Sequence, residues 1–150
     1  MVRSARIADA RPIHQLLLKY AGDGLMLPRS LSDIYEYIRN FYVYEDQDGR
    51  VVGAVCLQIS WEDLAEVRSL AVAEAVSGRG IGRALVEQCL DEARTLGLPK
   101  VFALTYKVSF FNKLGFHEIE KSELPHKIWG DCIKCAKFPE CDETAMMIKL

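Results

Sequence analysis

The chain has 150 residues, 50% of them hydrophobic and 27% charged, enough for one sizeable core and one domain over 1–150 without covalent staples. A formal net charge of −2 excludes capture of nucleic acid or an anionic membrane by bulk charge, so an anionic ligand has to be held by local groups. No signal-peptide pattern follows Met1 and no apolar run reaches a membrane span, so a cytoplasmic chain is expected, whose five cysteines are thiols or metal ligands rather than disulfides.

Alternation over Val2 to Ile7 predicts a strand, and Asp9 is placed to cap a helix running to about Tyr20 with Ile13, Leu16, Leu17 and Tyr20 on one face. After the Gly22-Asp23-Gly24 break, Ser30 caps a second helix carrying Leu31, Ile34, Tyr35 and Ile38. Phe41 to Glu45 and Val51 to Ile59 read as strands joined by the turn Asp46-Gln47-Asp48-Gly49. A further strand runs from Leu64 to Val72; strict alternation puts Val67, Ser69 and Ala71 on one side and Glu66, Arg68, Leu70 and Val72 on the other.

A glycine loop comes next, then a helix from about Gly80 to Leu96, stopped by Gly97. Val101 to Thr105 is almost wholly apolar and reads as a central strand. A short helix over Ser109 to Leu114, a strand over Phe116 to Glu120, an irregular cysteine-bearing segment over 121–142 and a closing strand over Thr144 to Leu150 complete the chain. This order predicts an α/β (α+β) fold: a mixed sheet flanked by helices.

The loop Ser77-Gly78-Arg79-Gly80-Ile81-Gly82 stands between a strand and a helix. Glycines there permit positive φ and close backbone approach, and the amides of Gly78 to Arg83 fall at a helix N-terminus suited to a phosphate, with Arg79 and Arg83 adding charge. A glycine-rich turn with no ligand is the plain alternative. A nucleotide P-loop is excluded because no Gly-Lys-Ser/Thr follows, and a Rossmann fingerprint because no acidic residue ends the next strand.

The run Glu66-Val67-Arg68-Ser69-Leu70-Ala71-Val72 with Gly78-Arg79-Gly80-Ile81-Gly82-Arg83-Ala84-Leu85 resembles the acetyl-CoA motif of the GNAT acetyltransferases. Phe110-Phe111-Asn112-Lys113-Leu114-Gly115-Phe116 resembles a second signature of that family. The resemblance implies a mostly antiparallel sheet of six or seven strands with a splayed β4/β5 pair and about four helices. It also implies acetyl-CoA as co-substrate, its pyrophosphate on the loop amides, and its pantetheine and thioester oxygen on backbone near Leu70, Ala71 and Val72, an oxyanion-hole-type arrangement. Phe111 falls beside the cofactor, where many members carry a tyrosine that protonates the departing thiolate; phenylalanine cannot.

Leu27-Pro28-Arg29-Ser30, Ala65 to Val72, Phe102-Ala103-Leu104-Thr105, and Phe116 to Glu120 with Glu123-Leu124-Pro125 are similar to the acetyltransferase domain of the N-acetylglutamate synthases, and a short form lacking their kinase-like domain is expected. That implies transfer of acetyl to the α-amine of L-glutamate in arginine biosynthesis, by direct attack in a ternary complex. An ammonium acceptor needs a base, and Glu66 beside the acyl site fits that role through a water; its plain alternative is a surface strand carboxylate. Thr105 falls where the synthases place a hydroxyl near the sulfur, with Tyr106 a competitor for the acid role. Arg29 matches a carboxylate-binding arginine, Arg68 shares Glu66's strand face, and Ser69 offers backbone to the substrate; guanidinium binds carboxylate bidentately. Other acceptors (another small amine, a protein lysine) and a non-catalytic acyl-CoA-sensing module are the competing readings.

Cys132-Ile133-Lys134-Cys135 and Cys141, with His126, offer four ligands to a structural zinc, against the alternative of reduced loop thiols. The closing strand reads as an edge at which a second copy could pair into a homodimer.

Overall fold

The structure, a computed structural model, describes residues 1–24, 28–125 and 143–150. Its strands are β1 (Val2–Ser4), β2 (Phe41–Glu45), β3 (Val51–Trp61), β4 (Leu64–Val72), β5 (Lys100–Thr105), β6 (His117–Glu118) and β7 (Thr144–Lys149). Its α-helices are α1 (Ala10–Gly22), α2 (Leu31–Glu36), α3 (Ile81–Thr95) and α4 (Val108–Lys113). The seven strands form one sheet in the order β1-β2-β3-β4-β5-β7-β6. Every pairing is antiparallel except β4 with β5.

Helices cover both faces. Val55, Leu57, Ala65, Val67, Val101 and Ala103 meet Ile81, Leu85, Val86 and Cys89 of α3 on one face. On the other, Phe41, Val43, Ala54, Cys56 and Ala71 meet Ile13 and Leu17 of α1 and Ile34 of α2. The central reading of β5 holds: it lies between β4 and β7, with Val101 and Phe102 fully buried. The expected edge at the closing strand does not hold. β7 is flanked by β5 along its whole length and by β6 at Met146 and Met147, so the outer strands are β1 and β6.

Local chemistry explains several element ends. Ser30 Oγ accepts from Asp33 N–H at 3.0 Å, capping α2 as expected. Asp9 does not cap α1 with its side chain. Its carboxylate instead accepts from the Arg3 guanidinium at 2.7 and 3.0 Å and from the Arg6 amide at 2.7 Å, while Arg3 also donates to Glu45 at 3.0 Å. Burial works against the charged Asp9, but these hydrogen bonds outweigh it and hold the carboxyl below its ordinary value. The cluster ties β1 to the start of α1 and to β2. Among the described residues, no helix is long and apolar enough to cross a membrane.

Gly53 sets how closely α3 approaches the sheet. A Cβ there would lie 3.0 Å from both Ile81 Cγ2 and Leu85 Cδ1 and 3.4 Å from Tyr44 Cβ. The first turn of α3 thus rests against bare β3 backbone, opposite Val72 at the end of β4. Gly53→Val should lower the stability of the protein by about 1–3 kcal/mol through overpacking, read as a reduced midpoint in urea unfolding at unchanged slope.

Candidate active site

β4 and β5 start as bonded neighbours and then part. Their register runs Leu64 to Lys100, Ala65 to Val101 and Glu66 to Phe102, and it stops there. Among the described residues, β4 keeps only its β3 partner from Val67 onward, and an opening between β4 and β5 begins at Glu66. β4 changes course within this opening. Ala54 faces Ala71 and Cys56 faces Arg68, so three steps along β4 match two along β3, and Ser69 takes φ 54°.

That bulge corrects the strict alternation expected for β4. Before it, Glu66 and Arg68 lie opposite Gln58 and Cys56, on the face of α1 and α2. After it Ala71 joins that face, while Leu70 and Val72 pack with Val67 on the α3 face. Glu66 and Arg68 therefore share a face as expected, but Leu70 and Val72 do not share it with them.

Glu66 is 9% exposed, which removes its reading as an ordinary surface carboxylate. Arg68 Nε lies 3.7 Å from its Oε1, and Arg68 Nη1 donates to Gln58 Oε1 at 3.1 Å. Arg29 reaches the same face from the segment before α2. Its side chain is 7% exposed, its Nε donates to Asp33 Oδ2 at 2.6 Å, and its Nη1 donates to Ser69 Oγ at 3.2 Å. Its Cζ stands 5.5 Å from the Tyr37 ring and 5.1 Å from the Phe41 ring, within cation–π range. Cys56, fully buried on β3, forms the floor. Burial pushes its thiol pKa up, the guanidiniums of Arg29 and Arg68 pull it down, and the Glu66 carboxylate pushes it up again, for a net rise.

Period-two alternation along β5 puts Thr105 with Val101 and Ala103 on the α3 face, the face opposite Glu66 and three residues beyond its register partner Phe102. Thr105 Oγ1 accepts from Lys107 N–H at 2.8 Å, which directs the hydroxyl proton elsewhere and makes it a donor. Tyr106 is half-buried in the turn between β5 and α4. Phe111 lies within the core at 4% exposure, edge-to-face with Phe110 at 5.1 Å and Phe116 at 5.0 Å. Its half-buried neighbour Phe110 is the ring that meets the glycine loop, 3.4 Å from where a Gly82 Cβ would stand. The two sequence motifs thus come together in space.

Gly78 and Gly80 take φ 78° and 81°, the left-handed region in which an L side chain is strained. Gly80 is the N-cap of α3 and has no side-chain partner, so the first-turn amides of Ile81, Gly82 and Arg83 lack intrahelical acceptors and can hold an anion. Arg79 is exposed, and Arg83 is paired with Glu87 at 2.8 Å along the exposed face of the helix.

Two residues near the opening carry no signal in the sequence. Ala73 N–H donates to Val52 of β3, so the Val72 amide points the other way, into the opening. There the Tyr20 hydroxyl donates to Val72 C=O at 2.7 Å and accepts from Val72 N–H at 3.3 Å. Lys107 Nζ stands 5.8 Å from the Tyr20 ring. On the α1 side of Val72, Gln15, Leu16, Lys19, Tyr20 and Glu74 line an open cavity of about 250 Å³. Cys132, Cys135, Cys141 and His126, the expected zinc ligands, lie outside the described residues.

A splayed parallel pair with a carboxylate at its root and a glycine-capped helix at its mouth suits acyl transfer from a phosphate-bearing carrier. The sequence model of the acetyltransferase (GNAT) family matches residues 12–116. The chain belongs to that family and is an acetyl-CoA-dependent N-acetyltransferase. Within the family it stands close to the amino-acid acetyltransferases. That of Mycobacterium tuberculosis is 41% identical over 133 residues, 87% of this chain and 76% of its own length. An uncharacterized N-acetyltransferase of Chlorobaculum tepidum is 46% identical over 146 residues, 97% of this chain and 94% of its own. The solved structure of M. tuberculosis Rv2747 in complex with CoA and NLQ aligns with TM-score 0.86 at 36% identity, covering 100% of this chain and 99% of that one. The N-acetylglutamate synthase of Neisseria gonorrhoeae, complexed with coenzyme A and N-acetyl-glutamate, aligns with TM-score 0.90 at 26% identity, and this chain spans 35% of it.

Proposed function

We propose that the chain transfers the acetyl group of acetyl-CoA to the α-amine of L-glutamate, the N-acetylglutamate synthase reaction of arginine biosynthesis, in the cytoplasm. The observation that carries this reading is the buried Arg29 guanidinium, turned to Ser69 on the acyl-binding strand and sharing the Cys56 floor with Arg68 and Glu66. Two forked cations beside one carboxylate suit an acceptor that brings a carboxylate at each end and an amine between. The synthase of N. gonorrhoeae, crystallised with N-acetyl-glutamate, lends the same reading support from its fold.

In this reading the pyrophosphate sits on the amides of Gly78 to Arg83, and pantetheine runs down the opening along Leu70 to Val72. The Val72 N–H and C=O held by Tyr20 are the groups a pantetheine amide would use, so cofactor entry displaces the Tyr20 hydroxyl. Glu66, through a water, removes a proton from the ammonium. The amine nitrogen then attacks the thioester carbonyl carbon, and the oxyanion is held by strand amides at the bulge. Collapse breaks the C–S bond, and the second proton of the attacking nitrogen passes to the departing sulfur, leaving the amide and the CoA thiol; the Thr105 hydroxyl steadies the thiolate with a hydrogen bond, with Tyr106 the nearby phenol.

The test is thiol release from acetyl-CoA across a panel of amino acids and a lysine peptide. Turnover confined to L-glutamate supports the reading, whereas turnover with the peptide alone, or acetyl-CoA binding without turnover, overturns it. Glu66→Gln should lower kcat about 100-fold while the acetyl-CoA affinity by calorimetry stays within about twofold.

Gly82 separates the cofactor's demands from those of the fold. An alanine Cβ there meets only ordinary contacts, the Phe110 ring at 3.4 Å and Val72 Cγ2 at 3.8 Å. Gly82→Ala should therefore leave the unliganded protein as stable or more stable, by about 0.5 kcal/mol. Its methyl, by holding the pyrophosphate off the first-turn amides, should also raise the KM for acetyl-CoA about tenfold, the scale of one weakened amide–phosphate hydrogen bond. Thermal unfolding and steady-state kinetics on one preparation read both.

A further inference from the structure

Arg29 is an expensive residue to bury, and what holds it sits on the short helix that follows it. With its side chain 7% exposed, the guanidinium needs an anionic partner and a fixed orientation. Asp33 provides both. Its Oδ2 takes Nε at 2.6 Å, and its backbone N–H is anchored to Ser30 Oγ at 3.0 Å, so the carboxylate is positioned by the cap of α2. The Tyr37 and Phe41 rings flank the guanidinium, and Ser69 Oγ accepts from Nη1 at the far end. With the Nε edge committed to Asp33, the Nη end of the fork is the part directed at the strained bulge and the acceptor face.

We propose that Asp33 is a positioning residue for the acceptor. Held at Nε, Arg29 presents its Nη end to the acceptor's carboxylate beside Ser69. Asp33 itself is 36% exposed in its side chain, at the rim, and acts only through Arg29. The inference rests on Arg29 as a carboxylate ligand of the proposed reaction. It adds a residue whose spacing from Arg29, four along the chain, looks in the sequence like an ordinary surface ion pair.

The experiment is a kinetic double-mutant cycle on the full chain, with L-glutamate and acetyl-CoA varied separately. Asp33→Ala should raise the KM for L-glutamate about tenfold, the scale of a charge-assisted hydrogen bond at a half-exposed carboxylate. It should leave kcat and the KM for acetyl-CoA within about twofold. Asp33→Asn, which keeps an acceptor oxygen for Nε, should recover part of the loss, and it carries the same cycle if the alanine variant is poorly folded by thermal melting. In an Arg29→Gln background, Asp33→Ala should change kcat/KM for L-glutamate by less than about twofold.

An unchanged KM for L-glutamate in Asp33→Ala would overturn the inference. So would a parallel loss in kcat and acetyl-CoA KM, which marks a structural role, or a full additional loss in the Arg29→Gln background. If L-glutamate is acetylated and Arg29→Gln raises its KM while the Asp33 variants do not, the positioning role alone falls. If no amino acid in the panel is acetylated, the acceptor reading falls and this inference with it.

Discussion

Parallel pairing between β4 and β5 lasts only from Leu64 to Glu66, and the candidate site is arranged around the point where it ends. Backbone groups that leave a ladder have to find other partners, since each one left unmade in a buried place costs about 1–3 kcal/mol. On the β4 side one such pair is taken by the Tyr20 hydroxyl, which both donates to and accepts from Val72. A ladder continued to Val72 would close the slot. The opening is thus a stretch of sheet edge kept inside the sheet, where a ligand with amide groups can pair as a strand would.

The bulge at Ser69 turns that edge into a site. A serine at φ 54° costs of order 1–3 kcal/mol, and surrounding structure has to hold it there. Arg29 does so from one side by bonding Ser69 Oγ, and the β3 register resumes at Ala54 on the other. Because the extra residue reverses the faces, Glu66 and Arg68 look toward α1 and α2 while Leu70 and Val72 look toward α3. One strand therefore presents polar groups to the α1 and α2 face at its root and apolar groups to the α3 face at its mouth. The bare backbone of Gly53 completes the arrangement by letting the first turn of α3 close on the far end of β4.

Much of this was legible in the sequence. Element order, the Ser30 cap, the hairpin at 46–49 and the glycine-capped α3 all follow from local rules, and local rules are what periodicity and turn chemistry report. The bulge was not legible, because Ser69 is no glycine and nothing in Ala65 to Val72 interrupts a strand pattern. That one insertion inverted the expected sides of Leu70 and Val72. Asp9 looked like a helix cap because its rival partner, Arg3, is on another element. The inner place of β7 depends on β6, only two residues long, lying outside it. Tyr20 and Lys107 were missed for the same reason: an aromatic on an amphipathic face and a lysine after a strand mean nothing until the fold brings them to Val72.

The proposed reaction gives the charges around Glu66 and Arg68 a part in the choice of an acidic substrate. Among the described contacts, Arg29 is offset by Asp33 at 2.6 Å, and Arg68 has Glu66 at 3.7 Å and the neutral Gln58 at 3.1 Å. In the proposed reaction Glu66 takes up a proton, so Arg68 loses an anionic neighbour at the moment the amine becomes nucleophilic. In that reading a second carboxylate on the acceptor, placed near Arg68, is repelled less by Glu66 as the proton moves. A neutral side chain offers no such gain. In that reading the gain is made on the way to the transition state, which is the form of binding that raises turnover rather than merely lowering KM.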